Sequence, residues 1–201
     1  DSPVYLKTEN EQPVVRSYKL RGVLAKLTLL DPKEDKRLTA ISSGNHGVCL
    51  CYGAGLLGFT PPVIFAPHTT PKPKLKKIQN FGGEIHFLGQ CFDEANRLGE
   101  LAIEEGDYVK VDSREDPEAV AGQGTAALEI MEQNPEIDVL MAPIGSGGLI
   151  TASAVYLKER FPHVKIVGVE PDYCPAMKEN LEQGRWTKFF PFEGETILDS
   201  L

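Results

Sequence analysis

Short apolar runs alternate along the chain with longer stretches in which apolar residues recur at helical spacing. The apolar runs are three or four residues long, and most are bounded by glycine, proline or charged residues. This pattern predicts short strands that are buried on both faces. The six predicted strands cover residues 4–6, 38–41, 63–66, 85–88, 139–142 and 166–169.

The stretches between these strands have the periodicity of amphipathic helices. Phe92, Ala95 and Ile103, for example, fall on one face at helical spacing. Helices are predicted over residues 91–105, 119–133 and 149–161. Strands that alternate with helices imply a parallel sheet with helices on its faces, so the predicted fold class is α/β.

Composition and charge narrow the range of partners. The 201 residues are enough for one large or two small domains, and no Gly/Ser-rich linker marks a boundary. The net charge of -8 disfavours nucleic acid as a partner, because an acidic surface repels phosphate. One basic cluster is interpreted as a solvated helix face. It consists of Lys72, Lys74, Lys76 and Lys77.

Residues 189–201 have no regular pattern of apolar positions and are predicted to be an irregular segment. We expect the natural protein to continue beyond it.

The cysteines predict neither a disulfide framework nor a zinc site. Cys49, Cys51, Cys91 and Cys174 are too scattered for the former, and no further ligands cluster around the first two. Reduced core thiols are expected, which suits a cytoplasmic protein. No apolar run approaches the roughly 20 residues of a membrane helix, and the first residues lack the features of a signal peptide.

Two loops at strand-to-helix junctions are suited to binding anions. Residues 41–47 read Ile-Ser-Ser-Gly-Asn-His-Gly, and unpaired N–H groups at a helix start favour a carboxylate or phosphate. A simple N-cap is the alternative, but it explains only one serine. Residues 143–149 read Pro-Ile-Gly-Ser-Gly-Gly-Leu, in which the glycines allow the backbone to wrap around an anion. A tight turn is the alternative there.

A third loop, residues 16–22, places Lys19 at the start of an apolar helix. Such a lysine is usually only a solvated end residue. A lysine together with two separate anion loops, however, is what pyridoxal phosphate and an amino acid demand. The lysine supplies the Schiff base, one loop the phosphate site and the other the site for the substrate carboxylate.

Five motifs in order along nearly the whole chain resemble those of the serine/threonine dehydratases, which include threonine deaminases and serine racemases. The motifs are residues 7–12 with 17–22, 43–46, 121–125, 145–149 and 168–171. The resemblance implies the tryptophan-synthase-β-like fold of type II pyridoxal-phosphate enzymes, with two three-layer αβα domains and mostly parallel sheets. Residues 37–114 would form the smaller domain. Residues 1–36 and 115–201 would form the larger cofactor-binding domain, which is incomplete.

The resemblance also implies roles for individual residues. Lys19 would hold pyridoxal phosphate, and Asn45 would bond its ring hydroxyl. The backbone that would bind the phosphate belongs to Gly145, Ser146, Gly147, Gly148 and Leu149. The residues that would surround the substrate are Ser42, Ser43, Gly44, Asn45 and His46.

The activity implied is an ammonia-lyase that converts L-serine or L-threonine to a 2-oxo acid and ammonia. The freed amine of Lys19 would remove the α-proton. A homo-oligomer, expected as a dimer, and a small amino-acid substrate follow from the same resemblance. Relative to the family, the chain lacks an N-terminal segment and roughly the last third. The missing third would carry the Ser or Thr that faces the pyridine nitrogen.

Several residues depart from the family pattern or leave alternatives open. Ser146 replaces a glycine, and Arg16 replaces a small or apolar residue. Ser43 stands where racemases of the family place a catalytic serine, which favours serine or hydroxyaspartate racemase as an alternative. A capping serine is the other interpretation. Glu170 matches a metal-binding glutamate of these racemases, but Ala176 stands where a second carboxylate is expected. A non-catalytic fragment or pseudoenzyme with a binding role is the alternative of another class.

Overall fold

The computed structural model of the chain describes residues 3–34 and 36–185, so the irregular segment predicted for residues 189–201 lies outside it. The chain divides into two compact units, residues 1–125 and residues 126–201. Among the described residues, no helix combines the length and the apolar character needed to cross a membrane.

The first unit is built on a four-stranded parallel sheet in the order β3-β2-β1-β4. Its strands are β1 (Arg37–Ile41), β2 (Val63–Ala66), β3 (Glu84–Phe87) and β4 (Tyr108–Lys110). Its helices are α1 (Lys19–Leu27), α2 (Asn45–Leu57), α3 (Lys72–Asn80), α4 (Phe92–Glu105) and α5 (Pro117–Gln123). A single 3₁₀ turn, Glu9–Glu11, precedes α1.

Both faces of this sheet are covered, which explains its continuous apolar strands. On one face, Leu38, Ala40 and Ile64 belong to a buried cluster with residues of α1, α2 and α3. On the other face, Val63 and Phe65 pack with residues of α4. The unit therefore has three layers, with the sheet in the middle.

The strand order reverses between β1 and β4. The chain winds outward from β1 through β2 to β3, and α4 then returns on the opposite face to β4 beside β1. In sheets of this kind, ligands bind at the carboxyl ends of the strands that flank such a reversal. The segments after β1 and β4 are therefore the place to look for a site.

The second unit contains two parallel strands, β5 (Val139–Pro143) and β6 (Lys165–Val169). Helix α7 (Gly148–Arg160) connects them, α6 (Thr125–Gln133) precedes them and α8 (Ala176–Gln183) follows. The core of the unit is a cluster between α6, α7 and one face of the strands. It includes Ala127, Met131, Leu140, Leu157 and Val164. On the opposite face, Val139, Met141 and Val169 are exposed.

The predicted strand at residues 4–6 is wrong. Val4, Tyr5 and Leu6 are 86%, 67% and 85% exposed, and they pair with no strand in the part of the chain that the structure describes. An apolar run without a neighbouring strand has nothing to complete its hydrogen bonds. Strand β4, by contrast, was not predicted, because its three residues include only one aliphatic side chain.

The predicted helix over residues 119–133 is two helices. Helix α5 ends at Gln123 and α6 begins at Thr125. Gly124 lies between them, and the Thr125 hydroxyl donates to the carbonyl oxygen of Gly122 over 2.8 Å. The periodicity continues across this break, so the sequence pattern did not reveal it.

The cysteines follow the prediction of core thiols only in part. Cys49 and Cys51 are buried free thiols, Cys174 is half-buried, and Cys91 is exposed, so the prediction is wrong for Cys91. Lys76 and Lys77 are exposed on α3, as a solvated helix face requires.

The predicted division into a smaller and a larger domain remains a prediction. The four-stranded sheet lies entirely within the predicted segment 37–114. Residues 1–36, however, belong to the same compact unit as that sheet.

Helices α1 and α5 approach each other through two glycines. A Cβ on Gly122 would lie 2.9 Å from the Cα of Gly22 and 2.7 Å from the carbonyl oxygen of Arg21. A Cβ on Gly22 would overlap the carbonyl of Ala119. The contact therefore explains why glycine occurs in both the 17–22 and the 121–125 motifs.

We expect Gly122→Ala to lower the free energy of unfolding by about 1–3 kcal/mol, because the added methyl group has no space. Gly55→Ala is the matched control: Gly55 is exposed within α2, and a Cβ there meets nothing within 4 Å. That variant should gain about 0.5–1 kcal/mol. Urea denaturation of the three proteins measures both changes, and a Gly122→Ala protein as stable as the unchanged one would contradict the packing argument.

Candidate active site

Lys19 is the first residue of α1 and is half-buried. Its Nζ lies 3.5 Å from the Oγ of Ser113 and 5.1 Å from the centre of the Tyr18 ring. Ser113 follows β4, so the amine lies beside the carboxyl end of that strand. The sequence identified Lys19 but not Ser113, because 94 residues separate them.

An ion pair fixes the position of α1. Arg21 donates to both carboxylate oxygens of Glu9, over 3.0 and 2.8 Å, and to the Thr125 hydroxyl over 3.1 Å. Two-point pairing of a guanidinium with a carboxylate is geometrically specific. The motifs at 7–12, 17–22 and 121–125 are therefore parts of one structure, which holds the helix that carries Lys19.

The backbone just before α1 contains two left-handed residues other than glycine. Val14 has φ 71° and Arg16 has φ 54°. A tight turn closes around Val14, in which the N–H of Val15 donates to the carbonyl oxygen of Pro13 over 2.9 Å. Such conformations cost roughly 1 kcal/mol or more for a residue with a Cβ. The chain therefore enters α1 through a strained bend.

The loop after β1 leads into α2 through Ser42. The Ser42 hydroxyl accepts hydrogen bonds from the N–H groups of Gly44 and Gly47, over 3.2 and 3.1 Å. The N–H groups of Asn45 and His46 have no protein partner among the described residues. Unpaired amides at a helix start can bind a carboxylate, as the sequence predicted for this loop.

The two serines of this loop differ in their surroundings. Ser42 is buried, and its hydroxyl accepts backbone N–H groups at the start of α2, so it caps the helix from two residues before the N-cap residue, Gly44. Ser43 is half-buried, and its hydroxyl has no protein partner in the part of the chain that the structure describes. Capping therefore explains Ser42, which was predicted to surround the substrate, and does not explain Ser43.

His46 is buried in the first turn of α2, where its Nε2 lies 2.7 Å from the carbonyl oxygen of Val111. Burial lowers the pKa of His46 from its ordinary value of 6.5 to about 4; the Val111 carbonyl opposes this shift, and the charge of Lys19 adds to it. The ring is therefore neutral near pH 7. Its Nδ1 is buried and has no hydrogen-bond partner.

Charged residues surround the segment after β4. Burial alone would raise the pKa of Asp112, but the charges of Arg114 and Lys110 hold it well below its usual range. Lys110 pairs with Asp112 at 3.1 Å and with Glu100 at 2.6 Å. Asp112 also accepts the N–H of Arg114 over 2.8 Å, so charged contacts join this segment to β4 and, through Lys110, to α4.

Gln123, the last residue of α5, binds the segment that follows β4. Its Nε2 donates to the carbonyl oxygen of Ser113 over 2.8 Å, while its Oε1 is buried without a partner. Gln123 belongs to the 121–125 motif, but no role was predicted for it from the sequence. Its role in holding the backbone of Ser113 is visible only in the structure.

In the second unit, the glycine-rich turn has the geometry of an anion-binding loop. Gly145 has φ 51° and Gly147 has φ 88°, so both need glycine. The N–H of Gly147 donates to the carbonyl oxygen of Ile144 over 2.8 Å and closes the turn. The next residues begin α7, where N–H groups have no partner within the helix. Ser146 is exposed and has no left-handed backbone, so serine replaces the usual glycine there without strain.

Glu170 follows β6 and caps α8. One of its carboxylate oxygens accepts the N–H of Met177 over 2.8 Å, and the other accepts the N–H of Lys178 over 3.0 Å. A cavity of about 550 Å³ lies beside it, lined also by Ile144 and Gly168. Among the described residues, no group of three or more His, Cys, Asp or Glu side chains is placed to hold a metal ion.

The chain matches a family model over its whole length and known proteins over most of it. A family model described as "Pyridoxal-phosphate dependent enzyme" matches residues 1–201. The L-threonine ammonia-lyase of Thermotoga maritima is 38% identical over 183 residues, which are 90% of this chain and 45% of that protein. The L-threonine ammonia-lyase of Geobacter sulfurreducens is 37% identical over 185 residues, 91% of this chain and 45% of that protein. The chain thus spans about half the length of the curated relatives it matches.

Solved structures of threonine deaminases and serine racemases are also similar to this chain. The processed form of threonine deaminase isoform 2 from Solanum lycopersicum has a TM-score of 0.84 and 33% identity, covering 94% of this chain and 52% of that one. Maize serine racemase has a TM-score of 0.79 and 28% identity, covering 88% and 54%. These similarities and the parallel sheets confirm the predicted α/β fold of the tryptophan-synthase-β-like type.

The described residues fit pyridoxal phosphate in each unit taken by itself. The first unit offers a half-buried lysine amine, unpaired amides at the start of α2 and a buried acceptor without a partner, His46 Nδ1. The second unit offers a left-handed glycine turn that leads into the free amides of a helix start. An amine suits the aldehyde of the cofactor, and such amides suit a phosphate.

Burial of His46 predicts a specific loss of stability in acid. The unfolded chain takes up a proton near the ordinary pKa of 6.5, whereas folded His46 does so only near 4. Its contribution is therefore complete above pH 6.5 and is lost as the pH falls to 4, by about 3 kcal/mol in all. Urea unfolding across this window should show a shallower decline for His46→Gln. His163→Gln, at an exposed position, should decline as the unchanged protein does. Parallel curves for all three proteins would contradict the prediction.

Proposed function

Because the chain belongs to the pyridoxal-phosphate-dependent enzyme family, we propose that it carries the cofactor and substrate residues of an ammonia-lyase acting on L-threonine or L-serine. The resemblance to the serine/threonine dehydratases is confirmed by relatives named threonine ammonia-lyase. The observation that carries the proposal is the half-buried amine of Lys19, which contacts Ser113 at the carboxyl end of β4.

Each predicted site residue has a proposed binding role. Lys19 attaches the cofactor, and Asn45, exposed at the first position of α2, bonds its ring hydroxyl. The amides of Ser146, Gly148 and Leu149 hold the phosphate, while Gly145 and Gly147 shape the turn. Around the substrate carboxylate lie Ser43, Gly44, Asn45 and His46, with Ser42 holding the loop.

The chemistry divides between the cofactor and the chain. Pyridoxal phosphate, when bound, withdraws electrons from the α-carbon of an amino acid joined to it. The amine of Lys19, once released, removes the α-proton as a general base. Ser113 accepts a hydrogen bond from this amine over 3.5 Å and keeps it at the carboxyl end of β4. Elimination of the β-hydroxyl and hydrolysis then yield a 2-oxo acid and ammonia.

His46 and Cys49 are two other titratable groups on which the charge of Lys19 acts. Burial lowers the pKa of His46 to about 4, so its neutral imidazole is a weak base. Burial raises the pKa of Cys49 to about 12, against a weaker effect of its hydrogen bond to Ser17, so Cys49 remains a thiol. Neither group competes with Lys19 as a base or nucleophile.

The homodimer and the division into domains 37–114 and 1–36 with 115–201 are further proposals. They rest on the resemblance alone. The Ser or Thr that would face the pyridine nitrogen is likewise implied by the resemblance alone.

Lys19→Ala should abolish the yellow colour of the bound cofactor and reduce turnover by about 10³-fold or more, because both the attachment and the base are lost. Absorbance spectroscopy and an oxo-acid assay with L-threonine and L-serine measure the two effects. Lys76→Ala, at an exposed position on α3, is the matched control and should retain both. A Lys19→Ala protein with full activity would refute the assignment.

Racemisation is the second candidate, and the free hydroxyl of Ser43 favours it. A hydroxyl on the face opposite the lysine could return a proton to the α-carbon and invert it. The likeness to maize serine racemase agrees with this proposal.

If the protein is a racemase, Ser43→Ala should stop the formation of D-serine and leave most of the 2-oxo acid production. If it is only an ammonia-lyase, D-serine should not form in the unchanged protein either. Chiral chromatography of the remaining serine distinguishes the two. Ser42→Ala is the comparison: it removes the cap of α2 and should lower stability by about 1 kcal/mol. A protein that becomes yellow but turns over neither amino acid would instead support a binding role without catalysis.

A further inference from the structure

Gln123 is a buried polar side chain to which the proposed reaction gives no role. It is the last residue of α5 and is only 1% exposed. Its Nε2 donates to the carbonyl oxygen of Ser113 over 2.8 Å, while its Oε1 is buried and has no partner. Because a carbonyl oxygen only accepts hydrogen bonds, the amide nitrogen must face it, and the side chain cannot be turned over to satisfy Oε1.

A glutamine in this state contributes little to stability. A single hydrogen bond adds modestly to the free energy of unfolding, whereas a buried acceptor without a donor subtracts a similar or larger amount. An apolar side chain of the same length would fill the same space without that loss. What the donor of Gln123 holds in place therefore explains this residue better than the stability of α5 does.

The group that Gln123 holds is a peptide group that is fixed at both ends. The carbonyl of Ser113 and the N–H of Arg114 belong to the same planar unit. Gln123 donates to the carbonyl oxygen, and the N–H donates to Oδ1 of Asp112 over 2.8 Å. We call these two hydrogen bonds the peptide clamp. They fix the orientation of the backbone from which the Ser113 side chain extends.

Gln123 also packs against the helix that carries Lys19. A Cβ on Gly22 would lie 3.2 Å from the Cγ of Gln123, so this side chain lies against α1 one turn after Lys19. Ser113 completes the path, because its Oγ lies 3.5 Å from Nζ of Lys19. One buried side chain thus contacts both the helix that carries the amine and the backbone that carries the hydroxyl.

We propose that Gln123 is a positioning residue for the general base. Through the peptide clamp it holds the hydroxyl of Ser113 at the amine of Lys19, and the unpaired Oε1 is the consequence of placing a donor at this buried position. Asp112 sets the orientation of the peptide group, and Gln123 sets its distance from α1. The catalytic role rests on the function proposed above, whereas the peptide clamp does not.

The first measurement needs no cofactor. Gln123→Met keeps the approximate length of the side chain and removes its polar atoms. In the full chain without cofactor, hydrogen exchange at the Arg114 amide should become about tenfold faster, because its peptide group has lost one of two anchors. The midpoint of urea unfolding should stay close to that of the unchanged protein, because the unpaired oxygen is removed together with the hydrogen bond.

Gln79→Met, at an exposed position on α3, is the matched control and should change neither quantity. Exchange at Arg114 that is as slow in Gln123→Met as in the unchanged protein would refute the peptide clamp. A urea midpoint far below that of the unchanged protein would show that Gln123 serves stability, and it would overturn the proposal.

The second measurement uses the protein loaded with pyridoxal phosphate. Gln123→Met should lower kcat by about tenfold and leave KM nearly unchanged, because the hydroxyl at the base is displaced while the substrate loop is not. Gln79→Met should keep both constants. Faster exchange at Arg114 with an unchanged kcat would overturn the positioning role.

A double-mutant cycle tests whether Gln123 acts through Ser113. Ser113→Ala removes the hydroxyl that the peptide clamp positions, so it should lower kcat to a similar extent. Adding Gln123→Met to that variant should lower kcat no further, because no hydroxyl remains to be positioned. Losses that multiply in the double variant, or a Ser113→Ala protein with unchanged kcat, would overturn the proposal.

Failure of the proposed function gives a different result. In that case Lys19→Ala would keep colour and turnover, and the catalytic role of Gln123 would be refuted with it. The exchange rate at the Arg114 amide would still report whether the peptide clamp exists.

Discussion

The close crossing of α1 and α5 at Gly22 and Gly122 is the constraint on which the candidate site depends. Without side chains at these two positions, the helix backbones meet at van der Waals distance. Lys19 lies one turn before Gly22, and Gln123 directly follows Gly122. The same contact therefore places the amine and holds the segment that contains Ser113. A larger residue at either glycine would move both.

Much of the fold could be predicted from the sequence, because strands buried on both faces leave a strong apolar signal. Five of the six predicted strands are present, whereas the exposed run 4–6 shows that apolar character alone is insufficient. Strand β4 was missed because its short sequence lacks that signal, although the parallel sheet is completed by it. Whether a short segment forms a strand therefore depends on whether a neighbouring strand and a core are there to pack against it.

For the site, the sequence identified residues through motifs, but it could not identify contacts between distant segments. Lys19 and the loop before α2 were recognised, whereas the roles of Ser113, Asp112 and Gln123 require the ends of β1 and β4 to be adjacent. A motif also does not show which side chains already have hydrogen-bond partners. Only the geometry distinguishes Ser42, whose hydroxyl is used by the backbone, from Ser43, whose hydroxyl is not.

The position of β4 at the edge of the sheet has a consequence for dynamics. Among the described residues it is paired only with β1, and its three residues form the shortest strand that they contain. An edge strand of this length opens more readily than the interior strands, and opening it would carry the following segment, with Ser113, away from Lys19. The amides of β4 should thus exchange hydrogen faster than those of β1 and β2. Ordering of the segment after β4 would then be a local equilibrium, separate from the folding of the unit.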